Sequence, residues 1–434
     1  MAENSDSRFR LTSGQAVALA QKFGTPLYVV DEAHFRARIQ SYLAAAKAAS
    51  LPTKISFASK ANSTVALLKI AYSEGCTVDV ASEGELRAAL LASVPPAQCH
   101  LHGSNKSRQE LQFAIELGIG HIVVDHFQEI QTVSELLKSP AAKPTKIVLR
   151  LAPGVDPITH AKISTGQSDT KFGFNIHDGS AEKAVEMSLA LGLNLIGFHC
   201  HVGSQLLDPE AQRAGGEWIT RFAVQMAEKH SFQATYLNVG GGLGVYYTAA
   251  EKPIAITDYC RLIDLTLAQL LKDSPLGHVT IGHEPGRSLI AESGVTLYQV
   301  GVVKTVPATP TKLRTFVSVN GGLSDNPRPA MYGAKYTVLS FHDSDVATHA
   351  VTVSGKHCET DQLFEDVQLP KNLQAGDLLQ VLCTGAYNSA MASNYNRYPR
   401  PATALIRQDG RLELIQQPES WSQMFDRETI PSDL

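Results

Sequence analysis

The chain has 434 residues, too many for one hydrophobic core, so two domains are expected. It is 44% hydrophobic and 18% charged, with 38 Lys and Arg against 42 Asp and Glu and a net charge of -4. That balance belongs to a globular protein and argues against nucleic acid as the main partner, which calls for a basic face.

Six cysteines, at 76, 99, 200, 260, 358 and 383, lack C-x-x-C spacing, so neither a disulfide framework nor a structural zinc site fits them. The start M-A-E-N-S-D-S-R-F-R-L carries no apolar signal-peptide core. No apolar run reaches the ~20 residues of a spanning helix. A reducing cytoplasm is therefore the expected compartment, with no membrane partner.

Residues 12–24, T-S-G-Q-A-V-A-L-A-Q-K-F-G, predict a helix capped by Thr12 or Ser13 and stopped by Gly24. A strand follows at 26–31, and then a rhythm begins. Short apolar strands are expected at 54–58, 77–81, 99–102, 121–125, 145–152, 195–202, 236–239 and 279–284. Helices lie between them. Those opening at Ser82 and Ser107 carry Glu85 and Glu110 in capping-box relation; others are expected from Thr64, at 178–190, near 210–229 and at 255–272. Eight strands alternating with helices over roughly 250 residues match a (β/α)8 TIM barrel. A doubly wound sheet would need an early G-x-G-x-x-G turn, and the chain has none. After about Glu292 short strands and turns take over, including an Asp409-Gly410 hairpin signal, so an all-β domain is expected. The division expected is an N-terminal segment 1–33 packing with the β domain, a barrel at 34–290, and the β domain at 291–434.

In parallel α/β folds ligands sit at the carboxyl ends of the strands, and the residues there are distinctive. I-S-F-A-S-K-A-N at 55–62 places Lys60 at the end of the first barrel strand. A partly desolvated lysine is an amine nucleophile able to form a Schiff base. Asn238-Val-Gly-Gly-Gly-Leu-Gly follows strand seven, and its consecutive N–H groups can form an anion nest at the place where barrels bind phosphate. His199-Cys-His201 ends strand six, with both imidazoles on one side by alternation. His199, deeper in the strand, reads as a hydrogen-bonded core residue, and His201 as the one facing a ligand. Glu284-Pro-Gly-Arg287 closes strand eight, where a carboxylate needs a cationic partner. An amine for an aldehyde, a phosphate nest, a flat imidazole and a carboxylate are the equipment for pyridoxal phosphate. A different class stays open: a metal-dependent barrel hydrolase using His199, His201, His283 and Asp79. It leaves Lys60 and the glycines without a role.

With these motifs the chain resembles the fold-type III pyridoxal-phosphate decarboxylases over nearly its whole length. The resemblance is carried by S-K-A-N at 59–62, D-V-A-S-E-G-E-L at 79–86, H-G-S-N-K-S at 102–107, S-T-G-Q-S-D-T-K-F-G at 164–173 and H-C-H-V-G-S-Q at 199–205. It continues in G-G-G-L-G at 240–244, E-P-G-R at 284–287, S-D-N-P-R-P-A-M-Y at 324–332, C-E-T at 358–360 and G-A-Y-N-S-A-M-A-S-N-Y-N at 385–396. It implies an alanine-racemase-type barrel followed by a β-sandwich or Greek-key domain, pyridoxal 5'-phosphate as cofactor, and no metal. The implied reaction takes meso-2,6-diaminopimelate to L-lysine and carbon dioxide; ornithine, arginine or carboxynorspermidine are the alternatives within the fold. By resemblance Lys60 is the Schiff-base lysine, His201 stacks on the ring, and Glu284 pairs with its nitrogen. Ser204, Gly240, Gly241, Gly242 and Tyr387 hold the phosphate, with Asp79, Gly286 and Arg287 also at the cofactor. Arg287, Arg328, Tyr332, Glu359 and Tyr387 contact the substrate, and Cys358 donates a proton across a homodimer interface. The chain departs from the family pattern at Asn320-Gly-Gly and at His357-Cys-Glu-Thr-Asp361, beside the substrate end.

Overall fold

The structure is a computed structural model that describes residues 8–155, 170–343 and 345–434. The chain divides into two compact units. One comprises residues 36–245 and 252–289; the other comprises residues 1–35, 246–251 and 290–434.

In the first unit, eight parallel strands among the described residues close into a barrel. They are Thr53–Ala58, Thr77–Val80, Cys99–Leu101, His121–Val124, Lys146–Ala152, Asn194–His199, Tyr236–Asn238 and Thr280–His283. Each pairs with the next, and the eighth returns to the first with Ile281 opposite Thr53. Closure removes both sheet edges. The strands read as apolar runs because both faces are covered: Ile147, Val148, Leu149 and Leu151 are all buried. Helix starts follow the local chemistry. The Ser82 hydroxyl accepts from the Glu85 N–H, and Ser107 and Glu110 form a reciprocal capping box. The helix Arg108–Leu117 then buries Leu111, Ala114 and Ile115 on one face.

Six of the eight strands end earlier than expected, five of them by one residue, and two of these ends bear on the site. The sixth strand leaves the ladder at His199, so His201 sits in the loop beyond it. The eighth stops at His283, one residue short of Glu284. A two-residue strand, Phe174–Asn175, pairs beside Leu151 and Ala152 and was not anticipated. The first six residues of the 164–173 motif lie outside the described residues.

The second unit is built on one mixed sheet. Leu27–Asp31 runs antiparallel to Gly294–Thr309, with Leu27 opposite Leu297, and parallel to Ala402–Ile406, with Leu27 opposite Ala402. Beyond Gly294–Thr309 come Lys312–Val319, Thr348–Ser354 and Gln362–Pro370; beyond Ala402–Ile406 comes Leu412–Gln416. Leu378–Leu382 pairs with both Gly294–Thr309 and Val338–Ser340. The last hairpin turns at Gly410, whose φ of +83 suits glycine. Leu19 of the helix Ser13–Phe23 joins Leu27, Val29, Val295, Leu297, Leu382 and Ile406 in the core. The strands Val338–Ser340 and Gln362–Pro370 were not anticipated from the sequence. Among the described residues no helix is long and apolar enough to cross a membrane.

Candidate active site

The carboxyl end of the barrel gathers the residues singled out from the sequence in that unit. Lys60 lies in a 3-10 turn, Ser59–Ala61, just after the first strand. Its neighbours are anchored: Ser59 and Ala61 are buried, and the Ser59 hydroxyl donates to Glu85 at 2.7 Å. Gly286 packs against this turn. A Cβ there would meet Ala61 Cβ at 3.1 Å and Ala58 Cβ at 3.2 Å, so glycine lets the loop after strand eight close on the lysine turn. Lys60 itself is exposed rather than partly desolvated as the sequence suggested, because a turn, not the strand, carries it.

Glu284 is the most elaborately held residue of the site. Its carboxylate lies 3.1 Å from His102 Nε2 and 3.1 Å from His199 Nε2, and it accepts from Asn238 Nδ2. Burial opposes its ionisation, but the two imidazoles outweigh that and hold its pKa well below the usual carboxylate range. Within the protein these three groups hold the carboxylate. His102 opens the 102–107 motif and Asn238 the glycine run, but the sequence assigned neither a role. Asp79 behaves in the opposite way. It accepts from Ser56 Oγ at 2.6 Å and lies 3.1 Å from His100 Nδ1. Burial, reinforced by the Glu284 charge, raises its pKa well above normal. The two carboxylates at the barrel centre are thus pushed in opposite directions, Glu284 towards its ionised form and Asp79 towards its protonated one.

His199 is a buried hydrogen-bonded residue, as its position in the strand suggested, and His201 is the one in the loop. Burial and then the positive charges of Lys60 and Arg150 push the His201 imidazole far down, so it is a neutral flat ring. The glycine run lies against it. Gly240 takes a φ of +74, and a Cβ on Gly241 would stand 2.1 Å from the Glu284 carbonyl oxygen. The Gly240 N–H is engaged by Asn238 Oδ1 at 2.8 Å and the Gly241 N–H by His201 Nδ1 at 3.4 Å. The run is thus less open as an anion nest than three successive glycines suggest. Arg287 donates to Ser204 Oγ from Nε at 3.2 Å and Nη2 at 3.0 Å, so a cation and a hydroxyl stand together near the glycine loop. His283 faces the other way, its ring 6.1 Å from that of Tyr259 in the helix Ile256–Leu271. The metal set of His199, His201, His283 and Asp79 is therefore not assembled.

The remaining residues belong to the second unit. Arg328 is buried, donates to Tyr336 Oη at 2.9 Å, and lies 5.2 Å from the ring centre of Tyr332 and 5.7 Å from those of Tyr247 and Tyr387. Among the described residues it has no carboxylate partner. Burial works against its charge, but the surrounding tyrosine oxygens more than offset this and raise its pKa. Cys358 and Glu359 are exposed on the loop between Thr348–Ser354 and Gln362–Pro370, with Glu359 accepting from Tyr395 Oη. A cavity of about 500 Å³ lined by Leu323, Ala330, Glu359, Asp361, Leu363 and Tyr395 opens beside it. The structure thus groups Arg328, Tyr332 and Tyr387 together, and Cys358 with Glu359 on a separate exposed loop.

The donor set fits pyridoxal phosphate. A fixed ionised carboxylate suits a cationic ring nitrogen, a neutral imidazole suits a ring face, and an exposed amine stands at the same barrel end.

A family model described as the pyridoxal-binding domain of pyridoxal-dependent decarboxylases matches residues 33–291. The chain is 40% identical over 422 residues to the diaminopimelate decarboxylase of Bacillus subtilis, covering 96% of this chain and 94% of that one. Among solved structures it is similar to the diaminopimelate decarboxylase of M. jannaschii in co-complex with L-lysine, with 32% identity, a TM-score of 0.90, and coverage of 99% and 98% of the two chains. The Helicobacter pylori diaminopimelate decarboxylase complexed with L-lysine gives 31% identity and a TM-score of 0.84, over 94% and 98% of the chains.

Proposed function

The chain belongs to the pyridoxal-dependent decarboxylases, and from that premise we propose that it converts meso-diaminopimelate to L-lysine and carbon dioxide, the closing step of lysine biosynthesis. The observation that carries the substrate is Arg328. A buried guanidinium caged by three aromatic rings, with no carboxylate partner among the described residues, is built to receive one from a ligand. Diaminopimelate offers that carboxylate at its distal end; ornithine and arginine do not. Relatives solved with L-lysine bound are in keeping with lysine as product.

Bound pyridoxal supplies the electron sink that lets the α-carboxylate leave as carbon dioxide. The chain's own residues do the rest. Lys60 would be the amine that anchors the cofactor's aldehyde. Glu284, held towards its ionised form by His102 and His199, would pair with a cationic ring nitrogen, and His201 would offer its flat ring to a face of the cofactor. Ser204, Arg287, the backbone at 240–242 and Tyr387 take the phosphate, with Asp79 and Gly286 shaping the floor. Arg328 holds the distal carboxylate with Tyr332, and Glu359 takes the distal ammonium. Cys358 delivers a thiol proton to Cα. Cys358 and Glu359 are exposed on their loop, which supports a homodimer in which each subunit lends this loop to its partner's site. Six cysteines, all unbridged, fit a reducing cytoplasm.

The test is a visible spectrum before and after borohydride, followed by carbon dioxide release from a panel of diaminopimelate, ornithine and arginine. The proposal expects a cofactor band that borohydride abolishes and a preference for diaminopimelate. A preference for ornithine or arginine would replace the substrate, and a protein that binds no pyridoxal phosphate would remove the mechanism.

A further inference from the structure

The loop carrying Cys358 and Glu359 is exposed at its tip but anchored at its base. His357 and Asp361, the residues flanking the tip, are both buried, and His357 Nδ1 lies 2.6 Å from Asp361 Oδ2. The same Asp361 oxygen accepts the His357 N–H at 3.1 Å, while its other oxygen accepts the Leu323 N–H at 2.9 Å. The Asp361 carbonyl accepts the Gly355 N–H at 2.8 Å, and the Lys356 N–H donates to the Gly321 carbonyl at 3.0 Å. One carboxylate thereby ties both arms of the loop to each other and to the segment at 321–323.

The fit leaves no slack. A Cβ on Gly322 would lie 2.2 Å from His357 Nδ1, and one on Gly355 would lie 2.0 Å from Asp361 Oδ2. Asp361 takes a φ of +38, a conformation held only when surroundings over-determine it. The His357 ring is stacked on Tyr395 at 5.7 Å and meets the edge of Tyr398 at 5.1 Å. Tyr395 in turn donates to Glu359, and the Cys358 N–H donates to Asn396 Oδ1 at 3.0 Å. A thiol and a carboxylate meant only for solvent need no such base.

We propose that His357 and Asp361 are positioning residues that fix Cys358 and Glu359 for their work in the partner's site. This rests on the reading of Cys358 as proton donor given above. The pair does not touch the reacting atoms; it sets where the thiol stands when the loop is delivered. Misplacing a catalytic group by about 1 Å costs on the order of 100-fold, so loosening the base acts on turnover through Cys358 and on substrate binding through Glu359, while the Arg328 contact is untouched.

The experiment uses the cofactor-loaded enzyme and four variants: His357→Ala, His357→Asn, Asp361→Asn and Cys358→Ala. His357→Ala and Asp361→Asn are expected to lower kcat roughly 10- to 100-fold through Cys358 and to raise KM through Glu359, with cofactor absorbance near wild type, and to speed amide hydrogen exchange at 355–361 and at Leu323, which Asp361 holds. His357→Asn, whose amide nitrogen stands near the place of Nδ1, should recover most of both. Wild-type kcat in His357→Ala and Asp361→Asn, alongside a deficient Cys358→Ala, overturns the positioning role and leaves the proton donor standing. Full activity in Cys358→Ala overturns the proton-donor reading itself. Loss of cofactor absorbance in His357→Ala with a folded Asp361→Asn at wild-type kcat also overturns the proposal, since the effect is then on folding.

Discussion

Replacing Arg328 by alanine tests the substrate assignment most directly. Arg328 is 6% exposed, and its guanidinium lies within 5.7 Å of three tyrosine ring centres. A carboxylate bound there is largely stripped of water, so truncating the arginine leaves that charge desolvated and unpaired. Such truncations cost about 2–5 kcal/mol. At about 1.4 kcal/mol per factor of ten, kcat/KM for meso-diaminopimelate should fall roughly 30-fold at the least. Folding stability should fall as well, since Tyr336 loses a charged donor, a bond worth about 1.5–3 kcal/mol. Arg328→Lys keeps the charge and loses the planar fork, so its loss should be intermediate. The assay compares wild type and both variants on diaminopimelate, ornithine and arginine, with the resting cofactor spectrum and the thermal midpoint as controls. An Arg328→Ala enzyme with undiminished kcat/KM on diaminopimelate refutes the reasoning. So does a variant that loses activity only because its cofactor band has gone.

Lys60→Ala should end carbon dioxide release in a folded protein, and peptide mapping after borohydride should place the pyridoxyl group of wild type on Lys60; finding it on another lysine ends the assignment. Glu284→Gln removes the charge that His102 and His199 stabilise, so kcat should fall with cofactor affinity little changed; full activity with unchanged affinity would refute the role. Burial pushes the imidazoles of His100, His199 and His283 down to about 4. Between that value and the free value of about 6.5 the unfolded chain binds protons the fold does not, so this stabilisation is complete above about pH 6.5 and is lost as pH falls toward 4. Between about pH 7.5 and about pH 5 each residue contributes on the order of 2 kcal/mol, and urea midpoints at those two values should differ accordingly; equal midpoints would show that these rings are not held neutral.

The fold class was legible because its signals are local. Eight short apolar runs, capping serines at Ser82 and Ser107, and helices between them imply a closed parallel barrel whatever the side-chain detail, and strand closure from Thr280–His283 to Thr53–Ala58 follows from that count. Lys60, His201, Glu284 and the glycine run were legible for a related reason: strand ends can be found from the sequence, and strand ends are where barrels do chemistry. What holds those residues was not legible. Glu284 takes its partners from strands that end at Leu101, His199 and Asn238, each far away in sequence, so its place at a strand end could be read but not what holds it. His283 and His199 are both strand histidines in alternating apolar runs, yet one meets the helix layer and the other the barrel centre; only the register of the closed sheet distinguishes them. The strand at Leu27–Asp31 reads as any apolar strand, and its place between Gly294–Thr309 and Ala402–Ile406 depends on backbone pairs hundreds of residues apart. His357 and Asp361 were visible only as departures from a pattern. Their bond is made by a turn with φ of +38, because side-chain pairing across a tight loop depends on backbone angles that residue types alone do not set.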